Sequence, residues 1–230
     1  MKNILFIFRK QLKDTLKNKA ILIQFIMHPL IAAVMTLSVH IENMPENFFV
    51  YLFSPMYITM APIVSMSSII AEEKEKNTLR VLLMSNVKSY EYFIGIGGYI
   101  FLICMLGAAV FCVLGKFTGI EILYFMGIMA VGILTSIVIG GTIGTASKNQ
   151  ILNTSITMPV MLVLSFVPML SQFNDVINNA GRVLYSQQIF NLINHTSTLD
   201  FKCESIIIIV VNILISAILF AVLYRKSKFA

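Results

Sequence analysis

The sequence predicts an all-α integral membrane protein with six transmembrane helices, and three observations carry that prediction. Of the 230 residues, 57% are hydrophobic and only 12% are charged, with a mean hydropathy of +0.85. A soluble chain averages nearer half apolar and about a quarter charged. Six stretches each approach the roughly 20 apolar residues that cross a hydrocarbon core. The basic residues between them are unevenly distributed, in the way that orients spans. That many spans leave no length for a sizeable soluble domain, so residues 1–230 read as one membrane domain.

Residues 2–19 form the first element. Leu5, Phe8, Leu12 and Leu16 recur at helical spacing, with Arg9, Lys10, Lys13 and Lys17 between them. This pattern predicts an amphipathic helix in the membrane interface, its basic residues toward anionic headgroups. The apolar run that follows is too long for a signal-peptide core, lacks an Ala-x-Ala site and contains His28-Pro29, so it reads as a retained span.

The spans are expected at about 21–41, 49–70, 92–115, 120–142, 151–171 and 204–224. Residues 43–47 (Asn-Met-Pro-Glu-Asn) and Lys116-Phe117-Thr118-Gly119 read as tight connections. An even number of spans puts both termini on one side. That side carries fourteen of the 17 basic residues; only Lys116, Arg182 and Lys202 fall on the other. The basic excess marks it as cytoplasmic.

Within the cytoplasmic segment 71–91, six of the nine residues from Glu72 to Arg80 are charged. At ~2.5–3.5 kcal/mol per charge at a bilayer centre, burying them would cost on the order of 15–20 kcal/mol, so the run is expected outside the bilayer. Leu79, Leu82 and Leu83 then fall at i, i+3 and i+4, on one face of a short helix. Asn77 or Thr78 would cap it. Ser89 would cap the third span, with Glu91 favoured by the helix dipole in its first turn. The pattern alone is equally that of a solvated loop whose charges only fix topology.

Residues 172–203 form the longest outer connection, rich in Asn and Gln. Val183, Leu184, Ile189, Phe190 and Ile193 predict one or two short helices dipping into the outer leaflet. In the fourth span, Gly132, Ser136, Gly140 and Gly144 make a small-residue stripe, expected to pack within the chain, although a subunit interface stays open. Pro29, Pro55, Pro62, Pro159 and Pro168 fall inside spans and predict kinks.

The remaining signals exclude functions. His28, His40 and His195 have no second ligand at metal spacing, so no metal is expected. Cys104 and Cys112 read as small hydrophobes and Cys203 has no evident partner. No Gly-x-x-x-x-Gly-Lys-Ser/Thr occurs, which excludes ATP binding through a P-loop. The Glu-Glu-x-x-x-Arg of intramembrane peptidases is missing, because Asn77 stands where the arginine belongs. Glu91, Glu121 and Glu204 all sit at span ends, which argues against a proton-coupled carrier. No covalent chemistry, bound cofactor or nucleic-acid partner is expected.

The string from Glu73 to Val87 resembles the signature of the ABC-2 type transporter permeases: an acidic–basic run, Gly-Thr-Leu, a leucine pair, then Ser/Thr-Pro-Val. Asn77 stands where glycine is usual and Asn86 where proline is usual; the frequent Gly-Lys that follows is absent. Asparagine readily enters the left-handed region, so the first turn can survive. The resemblance extends to the six-span layout and the outer segment. It implies that this string is a coupling helix seated in an ATP-binding subunit, through Glu73, Glu75, Lys76, Thr78, Leu79, Arg80, Leu82, Leu83, Ser85 and Val87. It further implies two ATP-binding subunits carrying ATP and Mg, and a second permease, identical or homologous. The setting would be a bacterial plasma membrane. The cargo would be hydrophobic or amphipathic (a peptide, bacteriocin, toxin or drug), along an apolar path with polar spots at Gln24, His28 and Ser65. A non-transporting immunity or sensor protein is the alternative.

Overall fold

The computed structural model describes residues 2–17, 19–39, 47–85, 87–196 and 203–226. The expected connection at 43–46, His40, Asn86, Lys202, Lys228 and the side chain of Leu83 lie outside what is described. Among the described residues ten helices follow in order: α1 (Lys2–Lys17), α2 (Lys19–Ser38), α3 (Phe48–Glu75), α4 (Thr78–Met84), α5 (Ser89–Leu114), α6 (Ile120–Ala146), α7 (Gln150–Leu170), α8 (Asp175–Gly181), α9 (Tyr185–Asn194) and α10 (Cys203–Lys226). No strand occurs among the described residues. Six of the helices, α2, α3, α5, α6, α7 and α10, are long and apolar enough to cross a membrane.

Helix α3 is the axis of the bundle: 72% of its most apolar window is buried, against 6% for α10. It packs along α6, α7, α2 and α5. The small-residue stripe of α6 makes the closest of these contacts possible. A Cβ on Gly140 would lie 2.6 Å from the Ile63 carbonyl oxygen, so only glycine lets the two backbones meet there. Ser136 adds a hydrogen bond of 2.5 Å to the Ile58 carbonyl, which Pro62, four residues on, cannot satisfy. Tyr185 of α9 meets the same hydroxyl at 2.7 Å. The stripe therefore packs within the chain, as expected. Hydroxyl pairs join α3 to α7: Thr59 to Ser165 at 2.6 Å and Ser67 to Thr157 at 3.1 Å.

At the end of the bundle away from α4, Lys116 and Gly119 both take positive φ, +50° and +55°, to turn α5 into α6. Asn47 donates to the Gly115 carbonyl at 2.9 Å, tying the start of α3 to that turn. Both short helices expected between the fifth and sixth spans exist. Asn174 caps α8 by accepting from Val176 and Ile177. Helix α9 is buried along almost its whole length and packs on α3, α6, α7 and α10.

Two boundaries differ from the sequence reading. The second span does not stop near residue 70 but continues to Glu75, giving α3 28 residues. Ala71 to Glu75 contains only good helix formers, so nothing breaks the helix earlier. At 1.5 Å per residue it is about 42 Å long, which lets its charged last turn project beyond a core of about 30 Å. The cap of α5 is Lys88, not Ser89: the Glu91 carboxylate accepts from the Lys88 backbone N–H at 3.0 Å, and Ser89 is the first helical residue.

Candidate functional site

The charged run is the last turn of α3 and the turn that follows. Successive helical residues point about 100° apart, so adjacent charges reach different neighbours. Glu73 turns to α1 and accepts from Lys10 Nζ at 2.5 Å and Gln11 Nε2 at 3.0 Å. Lys74 turns to the end of α6 and donates to the Thr145 and Ser147 carbonyls at 2.7 and 2.5 Å. Glu75 turns to the start of α7 and accepts from the Gln150 backbone N–H at 2.8 Å. Cation at a helix C-terminus and carboxylate at an N-terminus are the favoured pairings with the helix dipoles. Lys76 closes an i,i+4 pair with Glu72 at 2.5 Å, and that carboxylate holds the Lys76 ammonium above the ordinary lysine range.

Three of these residues thus join α3 to α1, α6 and α7. Glu73, which the resemblance gives as a contact to an ATP-binding subunit, is only 6% exposed and its charge is matched inside the chain. Exposure begins at Glu75 and continues through Lys76, Asn77 and Thr78.

Asn77 makes the turn into α4. Its φ of +56° is the left-handed conformation, and its side chain caps nothing. The asparagine thus serves in place of glycine through backbone freedom rather than as the side-chain cap that was expected. Thr78 Oγ1 donates back to the Glu73 carbonyl at 3.2 Å. Replacing Asn77 with valine is expected to destabilise this turn by about 1–2 kcal/mol, whereas glycine should be neutral within a few tenths. Proteolysis within residues 76–85, compared across the three proteins, measures it.

Leu79 and Leu82 of α4 face inward. Leu79 is 3% exposed and Leu82 packs half-buried on the core, while Val87 is buried just beyond the helix. Outward stand Arg80, Val81 at 66% and Met84 at 80% exposure, with Thr78 and Ser85 beside them. Leu79 and Leu82, which the resemblance seats in an ATP-binding subunit, therefore attach α4 to the bundle, because the same spacing serves an internal core equally well. Val81 and Met84 were missed: neither carries a motif, and only placement exposes them.

Helix α1 lies along α5 and reaches the end of α3. Arg9, Lys13 and Lys17 are exposed, as expected of a basic face, but Lys10 is engaged with Glu73. Its buried seam is Ile7, Gln11 and Thr15, at i, i+4 and i+8. Phe8 leaves the predicted apolar face to meet Tyr99 edge-on at 6.0 Å, and Asn3 donates to Glu91 at 2.9 Å. Leu5, Leu12 and Leu16 remain exposed.

The polar residues expected along a path are turned into the chain. Gln24 donates to the Met60 and Ala61 carbonyls at 3.3 Å each, joining α2 to α3. His28 is buried with Nε2 3.2 Å from Met60 Sδ, and Ser65 is buried as well.

No curated protein matches this sequence. A family model described as ABC-2 family transporter protein matches residues 5–225, from within α1 to the last turns of α10. The chain therefore belongs to the ABC-2 family of transporter proteins.

Proposed function

We propose that this transporter permease is driven by a separate ATP-binding subunit that docks on the outward face of α4. The observation that carries the reading is α4 itself, a short helix between two spans, fixed to the bundle by Leu79 and presenting Arg80, Val81 and Met84 to the exterior. Membership of the family supports association with an ATP-binding subunit. Two such subunits, carrying ATP and Mg, would serve a pair of permeases. Closure of the ATP-binding subunits would push α4, and the rigid end of α3 would carry that displacement into α1, α6 and α7 through Glu73, Lys74 and Glu75.

The cargo in this reading is hydrophobic or amphipathic and leaves the cell. The exposed faces of α2, α5, α7 and α10 are dominated by Ile, Leu, Val, Met and Phe, so a path between two permeases would be apolar. Gln24, His28 and Ser65 then serve the interior of one chain rather than the path. In this reading the membrane is a bacterial plasma membrane, and the basic excess supports a cytoplasmic side for α1, α4 and both termini.

Met84→Asp tests the docking face. The variant should insert and stay monodisperse, because Met84 touches little of its own chain. Its complex with the ATP-binding subunit should weaken by roughly thirtyfold or more, the effect of losing about 2 kcal/mol at an interface hot spot. Co-purification at wild-type yield would place the docking site elsewhere.

A further inference from the structure

We infer that the groove between α5, α6 and α10 holds one fatty-acyl chain of a membrane phospholipid, from the leaflet on the α4 side. Its walls are a face of α5 from Phe93 to Phe101 and a stripe of α6 from Leu134 to Gly141, completed by Phe220 of α10 and Met66 of α3. Helix α10 packs along α6 and α9. It reaches α5 through Phe220 and Tyr224, whose rings meet Phe93 edge-on with centroids 4.7 and 5.8 Å apart. These rings bridge the two helices at the end nearest α4. Beyond them α5 offers Gly97 and Gly98, and a Cβ on Gly98 would meet nothing within 4 Å, so the gap stays open.

Size and chemistry select the occupant. Every residue lining the groove is apolar or glycine, so it accepts hydrocarbon and no polar group. The groove's volume is about 390 Å³. A dry cavity of about 150 Å³ takes one benzene, so this one has room for roughly fifteen carbons, a single acyl chain. An α-helix with its side chains is about 10–12 Å across, too wide to enter as a segment of a second copy.

Depth selects a phospholipid. Tyr90, 57% exposed, stands one turn before Ile94 on the same face of α5, with Lys88 Nζ 5.9 Å from its ring centroid. Tyr224 stands one turn beyond Phe220. Tyrosines at the ends of spans mark the headgroup level, and Lys88 adds a cation for a phosphate there. From Tyr90 to Phe101 the helix rises about 16 Å at 1.5 Å per residue, half of a core of about 30 Å. A chain hung from that level therefore runs the length of the groove and ends near the bilayer midplane. Hydrocarbon gains no hydrophobic energy by leaving other lipid tails, so dispersion contacts with fixed walls are what hold it.

The test reconstitutes the full chain, without cargo or ATP-binding subunit, in phosphatidylglycerol vesicles. A small share of the phosphatidylglycerol carries a diazirine midway along one acyl chain, and irradiation is followed by mapping of labelled peptides. Labelling of residues 94–101 and 134–141 should exceed that of the exposed faces of α2 and α7 at least about fivefold, the ratio that about 1 kcal/mol of added dispersion contact sustains. Gly98→Leu, which fills the groove, should remove the excess. Gly127→Leu, at an equally open glycine of α6 outside the groove, should leave it intact. Equal labelling of all these helices in the wild-type chain overturns the inference without any variant, reducing the groove to ordinary lipid-facing surface. An excess that survives in a folded Gly98→Leu protein overturns it as well. Loss of a wild-type dimer in Gly98→Leu, read by chemical cross-linking in the same vesicles, would assign the groove to a contact between copies instead.

Discussion

Gly140→Val is expected to destabilise the bundle by roughly 3 kcal/mol, the upper part of the range for overpacking. A side chain there would begin 2.6 Å from the Ile63 carbonyl oxygen and 3.0 Å from its Cα. Both are backbone atoms of the central helix, which cannot swing aside as a side chain can. Either α3 and α6 separate along their length or α6 bends, and separation would pull Ser136 from the Ile58 carbonyl that Pro62 leaves free. Gly144 is equally closed, with Ser67 O at 2.9 Å. Gly98→Val is the control, because nothing lies within 4 Å of that position. Thermal unfolding in detergent should fall by roughly 10 °C for Gly140→Val and Gly144→Val, and only slightly for Gly98→Val. Equal shifts would mean that the loss reflects valine in a helix rather than the α3–α6 contact.

The second large effect is expected at the Lys10–Glu73 pair. Lys10→Met leaves a carboxylate 8% exposed with no cation beside it, only the neutral Gln11 and Tyr92. Removing one member of a buried pair costs about 3–5 kcal/mol. The lower end applies here, because the Lys10 side chain is 30% exposed and reaches solvent. Lys13→Met, one turn away on the exposed face, should change stability by less than about 0.5 kcal/mol. Combining Lys10→Met with Glu73→Leu should recover much of the loss, since no charge then remains buried. Hydrogen exchange across residues 2–17 reads the outcome directly as detachment of α1. A double variant as damaged as the sum of its singles would show that the two side chains act separately.

Much of this architecture is legible in the chain because membrane spans are written in length and composition. Each expected span is recovered as a helix, and the small-residue stripe of α6 already marks a close helix contact. The failures share a cause. The leucines of α4 have the spacing of an apolar face, and spacing cannot say whether that face meets its own bundle or a partner. Gln11 and Thr15 carry no signal in the sequence, yet both are buried, Gln11 against Glu73 of α3 and Thr15 beside Tyr99 of α5. The hydroxyl pairs between α3 and α7 join residues some ninety or more positions apart, beyond the reach of any local pattern.

The charged run shows the division most plainly. Sequence alone determined that six charges so close together must leave the hydrocarbon, since burying them unpaired would cost more than any domain's stability. It also determined that Asn77 could stand for glycine, because asparagine tolerates the left-handed backbone. Only the tertiary structure decided what the charges do. The middle of α1 and the ends of α6 and α7 converge on the last turn of α3, so Glu73, Lys74 and Glu75 meet an ammonium, two carbonyls and an N–H. The physical reason is that net charge sets depth in a membrane, whereas the partner of each charge depends on which helix ends the packing brings within 3 Å.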